Sequence, residues 1–167
     1  LASVLQLTKL LSHRPEVIVP AGYGLRTFQG PADVPLWLAL RDRAFARLRV
    51  GIRSWSSADF DSELTAKPWW RDEHLWFVHG ATDPADVVGS VVLAARGEGP
   101  TARPVVHWLS VLPSHRRNGL GRLLMARLEQ QCWDLGQRQV WLETHVAWTA
   151  AVELYRHLGY LPATGVE

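Results

Sequence analysis

Cysteine is almost absent from this chain: Cys132 is the only one in 167 residues. A lone cysteine excludes an intrachain disulfide, and no cluster of His, Cys, Asp and Glu with zinc-ligand spacing accompanies it, so no metal is expected. Long apolar runs are missing as well. Nothing approaches the roughly 20 apolar residues that a membrane span requires. The apolar stretch Leu1 to Leu11 lacks the basic flank and small-residue cleavage site of a signal peptide. Excess charge of one sign is lacking too, since 18 Lys and Arg face 16 Asp and Glu for a formal net charge of +2. Any basic surface must be local, so neither a nucleic-acid nor a membrane partner is expected. No repeat or low-complexity tract interrupts the chain. One cytoplasmic domain over residues 1–167, with 1–20 as an N-terminal extension, is the expectation. The first residue is Leu rather than Met, which suggests a trimmed N-terminus.

Tryptophan, by contrast, is plentiful, with nine residues. Trp55, Trp69, Trp70 and Trp76 cluster in the first half; Trp108, Trp133, Trp141 and Trp148 fall in the second. Large aromatic rings belong mostly in a core. Trp69-Trp70, behind Pro68 in a loop-like context, is instead a candidate lining for a substrate cleft, with packing as the alternative.

Along the chain, Ala2 to Leu11 reads as a short amphipathic helix. Glu16 to Val19 and Leu25 to Phe28 read as extended, with Pro20-Ala21-Gly22 turning between them. Helical spacing runs over Pro31 to Leu48, and again over Ser57 to Ala66 with Ser57 as N-cap. His74 to His79, Asp86 to Ala95 and Val105 to Leu112 read as strands. Gly119 to Leu135 is the clearest helix: Leu120, Leu123, Leu124, Leu128, Cys132 and Leu135 share one face, and Gly136 stops it. A buried-looking strand, Gln139 to His145, and a last helix, Thr149 to Leu158, follow. The order predicts a mixed α/β sheet with helices on both faces, not a repeated βαβ array.

The segment Pro113-Ser114-His115-Arg116-Arg117-Asn118-Gly119-Leu120-Gly121 carries the chemistry. It places Arg-x-x-Gly-x-Gly between a strand and a helix. Amides at a helix start have no partner in the helix and sit at the positive end of its dipole. Glycines allow a ligand close to that backbone, so the turn suits a phosphate group. It lacks the Lys-Ser/Thr ending of a Walker loop and the Gly-x-Gly-x-x-Gly of a dinucleotide fold.

With the second block, Ala151-Val152-Glu153-Leu154-Tyr155-Arg156-His157-Leu158-Gly159-Tyr160, the chain resembles the Gcn5-related N-acetyltransferase (GNAT) superfamily. Leu109-Ser110-Val111 through Gly121 is similar to its acyl-CoA motif. The matching blocks run from Val105 to Tyr160. The resemblance implies a splayed, mostly antiparallel sheet and acetyl-CoA as co-substrate. Its pyrophosphate would rest on the amides from Arg116 to Arg122, including Arg117, Asn118, Gly119, Leu120 and Gly121. Its pantetheine arm would pair with the backbone of Leu109, Ser110 and Val111. For Arg122, ligand contact and a solvated helix start are equal alternatives.

The same resemblance gives Tyr155 the role of acid toward the departing thiolate, against the alternative of a packing tyrosine. Glu143, in an apolar strand, is the first candidate for general base, because burial raises a carboxylate's pKa; pairing with a surface arginine is the alternative. His107 is the second candidate. It is expected on one strand face with Val105 and Leu109, and in one branch of the superfamily a histidine there belongs to a proton-relay pair. Its partner position is Val105 here. His145 reads as a strand-end residue. Trp148 stands where many members carry an asparagine that contacts the pantetheine arm, so the contact is lost or replaced by a stacking surface. The chain ends at Glu167, soon after Gly159-Tyr160, so the last hairpin of the family is short or missing. An N-terminal strand and helix, or a second subunit in a homodimer, would then complete the sheet. The acceptor implied is a small-molecule amine, or alternatively a peptide N-terminus or lysine. A non-catalytic CoA-binding module is the alternative from another class.

Overall fold

Eight consecutive residues of one strand, Val87 to Ala94, are buried. Side chains alternate across a sheet, so such a run needs cover on both faces. The computed structural model describes residues 4–46 and 52–163, and there this strand (β4, Val87–Arg96) lies near the centre of a seven-stranded sheet. The other strands are β1 (Val4–Leu10), β2 (Tyr23–Thr27), β3 (Leu75–Gly80), β5 (Arg103–Val111), β6 (Gln139–His145) and β7 (Leu161–Pro162). Their order is β2-β3-β4-β5-β6-β1-β7, and every pairing is antiparallel except β5 with β6. Helices α1 (Asp33–Phe45) and α3 (Leu120–Asp134) pack on β4 and β5. A short helix α2 (Ser57–Phe60) and α4 (Thr149–His157) complete the set.

Three sequence expectations change. The N-terminal segment is a strand, not a helix; residues 1–3 lie outside the described part. A short apolar run does not separate the two periods, and pairing decided it: seven residues, from Val4 opposite His145 to Leu10 opposite Gln139, zip onto β6. Leu7 is then the residue that enters the core, at 2% exposure. This strand, with β7 on its far side, extends the sheet beyond β6, a place that the sequence reading gave to an N-terminal strand but not to this segment. Glu16 to Val19, expected as a strand, is irregular. The helix expected over Ser57 to Ala66 is α-helical for one turn and then π-helical over Asp61–Thr65, where Ala66 N–H reaches Asp61 O at 2.8 Å. Its N-cap is Ser56, in a capping box with Asp59, one residue ahead of Ser57. The helix predicted over Pro31 to Leu48 is α1, with residues 47–48 outside the described part.

Both helices of the motif region end alike. After α3, Gly136 (φ +82°) lets Gln137 N–H reach Cys132 O at 2.8 Å and its own N–H reach Trp133 O at 2.9 Å. After α4, Gly159 (φ +93°) does the same, with Tyr160 N–H on Tyr155 O at 2.9 Å and Gly159 N–H on Arg156 O at 3.0 Å. These are Schellman closures, in which the residue after the glycine folds back on the last turn. Leu135, assigned by periodicity to the apolar face, sits at the closure and is 55% exposed.

Candidate active site

The parallel ladder between β5 and β6 holds only at Val105 opposite Trp141 and Val106 opposite Leu142. Beyond those pairs the strands part and leave a cleft of about 680 Å³. A second irregularity lies on its β5 wall. From Ser110 back to His107 this strand takes three steps while β4 takes two, from Ser90 to Val92. The extra residue makes a β-bulge, and Trp108 takes up the left-handed conformation there, φ +50°. The alternation expected to put His107 and Leu109 on one face therefore stops at Trp108, and His107, Trp108, Leu109, Ser110 and Val111 all line the cleft.

One end of the cleft is the turn from β5 into α3. His115 N–H and Arg116 N–H bond back to Leu112 O and Pro113 O, and Leu123 N–H is bonded to Gly119 O at 3.0 Å. The amides from Arg117 to Arg122 fall between these bonds, ahead of the helical ladder. Gly119 (φ +76°) has the left-handed backbone that this turn needs. Gly121 serves a different purpose, because a Cβ there would meet Leu154 Cδ2 at 2.8 Å. The guanidinium-bearing Arg116, Arg117 and Arg122 line the same end, so amides, dipole and cations converge on an anion-binding cradle.

Tyr155 reaches the cleft from α4. It is buried, and burial pushes its phenol well above the usual tyrosine range, so it stays protonated. Its placement follows from the Gly159 closure, which folds Tyr160 back edge-on to it with ring centroids 6.0 Å apart. Tyr160 donates its hydroxyl to Glu129 Oε2 at 2.8 Å, and Lys9 Nζ donates to Glu129 Oε1 at 2.8 Å.

The two carboxylate and imidazole candidates have opposite surroundings. Glu143 is not buried: its side chain is 39% exposed and paired with Arg96 at 2.5 Å, with Gln6 Nε2 donating to it at 3.4 Å. Alternation on β6 turns Val140, Leu142 and Thr144 inward and leaves Glu143 on the open side. The burial expected of it is absent, and the arginine pairing holds instead. His107 is the enclosed one. Burial first, then repulsion from Arg96, pushes its imidazole down to about 4 against the opposing pull of Glu143, so it is neutral at neutral pH.

A sequence profile described as the acetyltransferase (GNAT) family matches residues 38–160, well over half of the chain. The chain belongs to the GNAT family. The mycothiol acetyltransferase of Rhodococcus erythropolis is 31% identical over 149 residues, covering 87% of this chain and 49% of that protein. This chain thus spans about half the length of the curated relatives it matches. In fold it is similar to a GCN5-related N-acetyltransferase from Sphaerobacter thermophilus (TM-score 0.75, 19% identity, 96% of this chain and 48% of that one). It is also similar to an aminoglycoside N-acetyltransferase, AAC(6')-Iy, solved in complex with CoA (TM-score 0.65, 17% identity, 90% of this chain and 96% of that one).

Against this GNAT frame, most of the sequence-derived site residues meet in one place. Tyr155, Glu143, His107, Leu109, Ser110, Val111, Arg116, Arg117, Gly119, Leu120, Gly121, Arg122 and Trp148 all border the cleft. Asn118 does not; its side-chain amide donates to His115 O and Arg116 O and shapes the turn. Trp70 packs edge-on to Phe28 and Phe60 and donates to Asp72, while Trp69 stands edge-on to His107, outside the cleft wall. Trp148 leans on Phe45 and His145.

Sequence reasoning missed Arg96, Thr144, Phe45 and Trp108 as cleft residues. An arginine ending an apolar strand was the one signal for Arg96; the others depend on the splay and the bulge, which no local pattern announces. Among the described residues, no three His, Cys, Asp or Glu side chains gather as a metal site, and no helix is long and apolar enough to cross a membrane. Cys132 is buried, and burial together with the Glu129 charge pushes its thiol up to about 12, so it is no nucleophile.

Proposed function

We propose that this chain is an acetyl-CoA-dependent N-acetyltransferase whose acceptor is a small-molecule primary amine. The observation that carries the reading is one continuous cleft joining an anion cradle at the start of α3 to a protonated tyrosine, past a strand freed from its parallel neighbour. Three residues that border the cleft also carry a buried polar atom with no partner among the described residues: Thr144 (Oγ1), Trp148 (Nε1) and Trp108 (Nε1). A pantetheine arm, with two amides and a hydroxyl, is suited to such groups, and the arginines and helix amides suit the pyrophosphate. Trp148 then supplies an indole donor where many relatives carry asparagine.

The chain's own residues divide the work. Glu143 takes a proton from the acceptor amine through water, because its carboxylate lies at the open side of the cleft, where acceptor and water reach it, whereas His107 is enclosed and its imidazole is held down to about 4. The neutral nitrogen attacks the thioester carbonyl, so an N–C bond forms as the C–S bond breaks. A backbone amide in the bulge between Trp108 and Val111 steadies the oxyanion. Tyr155 gives its proton to the departing sulfur and recovers one from water. A small acceptor is favoured by the aromatic lining around His107 and Trp108, and it accords with relatives named for mycothiol and aminoglycoside acetylation. Cytoplasmic action is part of the same reading, since acetyl-CoA is held there.

The test is thiol release from acetyl-CoA against a panel of amines, amino sugars and N-terminal peptides, for wild type and Tyr155→Phe. Turnover on small amines that falls about tenfold or more in the variant is expected. Turnover confined to peptides overturns the acceptor class. CoA binding with no turnover on any acceptor makes the chain a binding module.

A further inference from the structure

Arg41, on α1, is 3% exposed yet has no carboxylate within hydrogen-bond distance among the described residues; Asp42 is 4.0 Å away and half exposed, and Asp59 is held by Arg53. Buried arginines normally face an acid. This one faces two indoles. Its guanidinium carbon lies 4.3 Å from the centroid of Trp55 and 4.3 Å from that of Trp108; the two rings meet at 77° with centroids 5.2 Å apart, so the cation sits in the corner they form. Its one other firm bond is from Nη1 to Arg53 O at 2.9 Å. A single side chain on α1 therefore grips both the segment running through Arg53 to Trp55 and the indole of Trp108.

Trp108 is the residue that needs gripping. It is bulky, it has a positive φ, and it sits in the bulge that reshapes β5 along the cleft. A large side chain keeps that conformation only where its surroundings over-determine it. Trp37, Trp55 and Phe45 stand edge-on to the ring, but an edge contact lets an indole slide. The buried cation over its face, tied to Arg53 O, fixes it.

We propose that Arg41 is a positioning residue: seated in the corner of Trp55 and Trp108, it holds the β5 bulge, and so presents the Leu109–Val111 backbone to the acyl-pantetheine half of the co-substrate. The inference rests on the acetyl-CoA reading above and adds to it a residue outside the cleft wall. It separates the two halves of the ligand. The nucleotide half is served by the start of α3, which Arg41 does not touch; the acyl half is served by the bulge, which it does.

Calorimetric titration of Arg41→Met and Arg41→Lys with acetyl-CoA and with 3′-phospho-ADP tests this. Arg41→Met is expected to weaken acetyl-CoA binding about tenfold while 3′-phospho-ADP binds within about twofold of wild type. Arg41→Lys should resemble Arg41→Met, because an ammonium lacks the planar fork that meets both indoles while bonding Arg53 O. Trp55→Leu, which removes one wall of the corner, should show the same split and serves if Arg41→Met does not fold. Unchanged acetyl-CoA affinity in Arg41→Met, full recovery in Arg41→Lys, or parallel loss of both ligands overturns the proposal. Wild type that binds 3′-phospho-ADP and acetyl-CoA while Arg41→Met does so equally well sinks this inference alone; wild type that binds neither sinks the acetyl-CoA reading with it.

Discussion

Lys9 and Glu129 lie 120 residues apart in sequence and 2.8 Å apart in space. The pair ties the N-terminal strand to α3, and Glu129, only 3% exposed, also accepts from Tyr160, which braces Tyr155. Removing Lys9 leaves a buried carboxylate with one hydrogen bond and no counter-charge. Lys9→Met is therefore expected to lower stability by on the order of 2 kcal/mol, read from urea unfolding. A midpoint equal to wild type would mean that Glu129 does not depend on this cation.

The two candidate bases separate by variant. Glu143→Gln keeps shape and removes the charge, and kcat is expected to fall about 100-fold. His107→Gln should cost much less, since a neutral imidazole with so low a pKa accepts a proton poorly. Steady-state kinetics on the best amine decide it, and a larger loss in His107→Gln assigns the base to the imidazole.

His107 also marks stability with pH. Burial and Arg96 hold it down to about 4, whereas a histidine in an unfolded chain titrates near about 6.5. Between those values the unfolded chain binds a proton that the folded chain does not. This contribution is whole above about 6.5 and is lost as pH falls toward about 4, a drop on the order of 3 kcal/mol. His74, also lowered by burial, adds a slope of the same sign. Urea unfolding at pH 5 and 7 should show a smaller difference for His107→Asn than for wild type. An identical difference would leave the slope to His74.

Two glycines of the cradle predict different losses. At Gly119 a Cβ meets nothing, but φ is +76°, so Gly119→Ala costs backbone strain of about 1 kcal/mol. It should also weaken acetyl-CoA binding by turning the amides that follow. At Gly121 the obstacle is the far end of Leu154, which can swing away. Gly121→Ala should unfold close to wild type; thermal melts of the two variants, beside their acetyl-CoA affinities, test the order.

Much of the fold was legible because local chemistry agreed with it. The α3 periodicity, the glycine closures at Gly136 and Gly159 and the Arg-x-x-Gly-x-Gly turn each state a backbone requirement that needs no distant partner. These led to the cradle, to Tyr155 and to the GNAT resemblance. The N-terminal strand was misread because Val4 to Leu10 satisfies either period, and only the edge of β6 made it extended.

Sequence by itself determined which groups are present and in what local conformations they come: the helix start for an anion, the tyrosine on its helix, the strand leading in. Tertiary structure alone decided the rest. It half-buried His107 and left Glu143 exposed, against the burial expected of a carboxylate in an apolar strand, because exposure depends on which face a neighbour covers. It opened the cleft where β5 and β6 part, and it set Arg41 in the corner of two indoles. Those are relations between segments far apart in the chain, and no spacing along one segment encodes the distance to another.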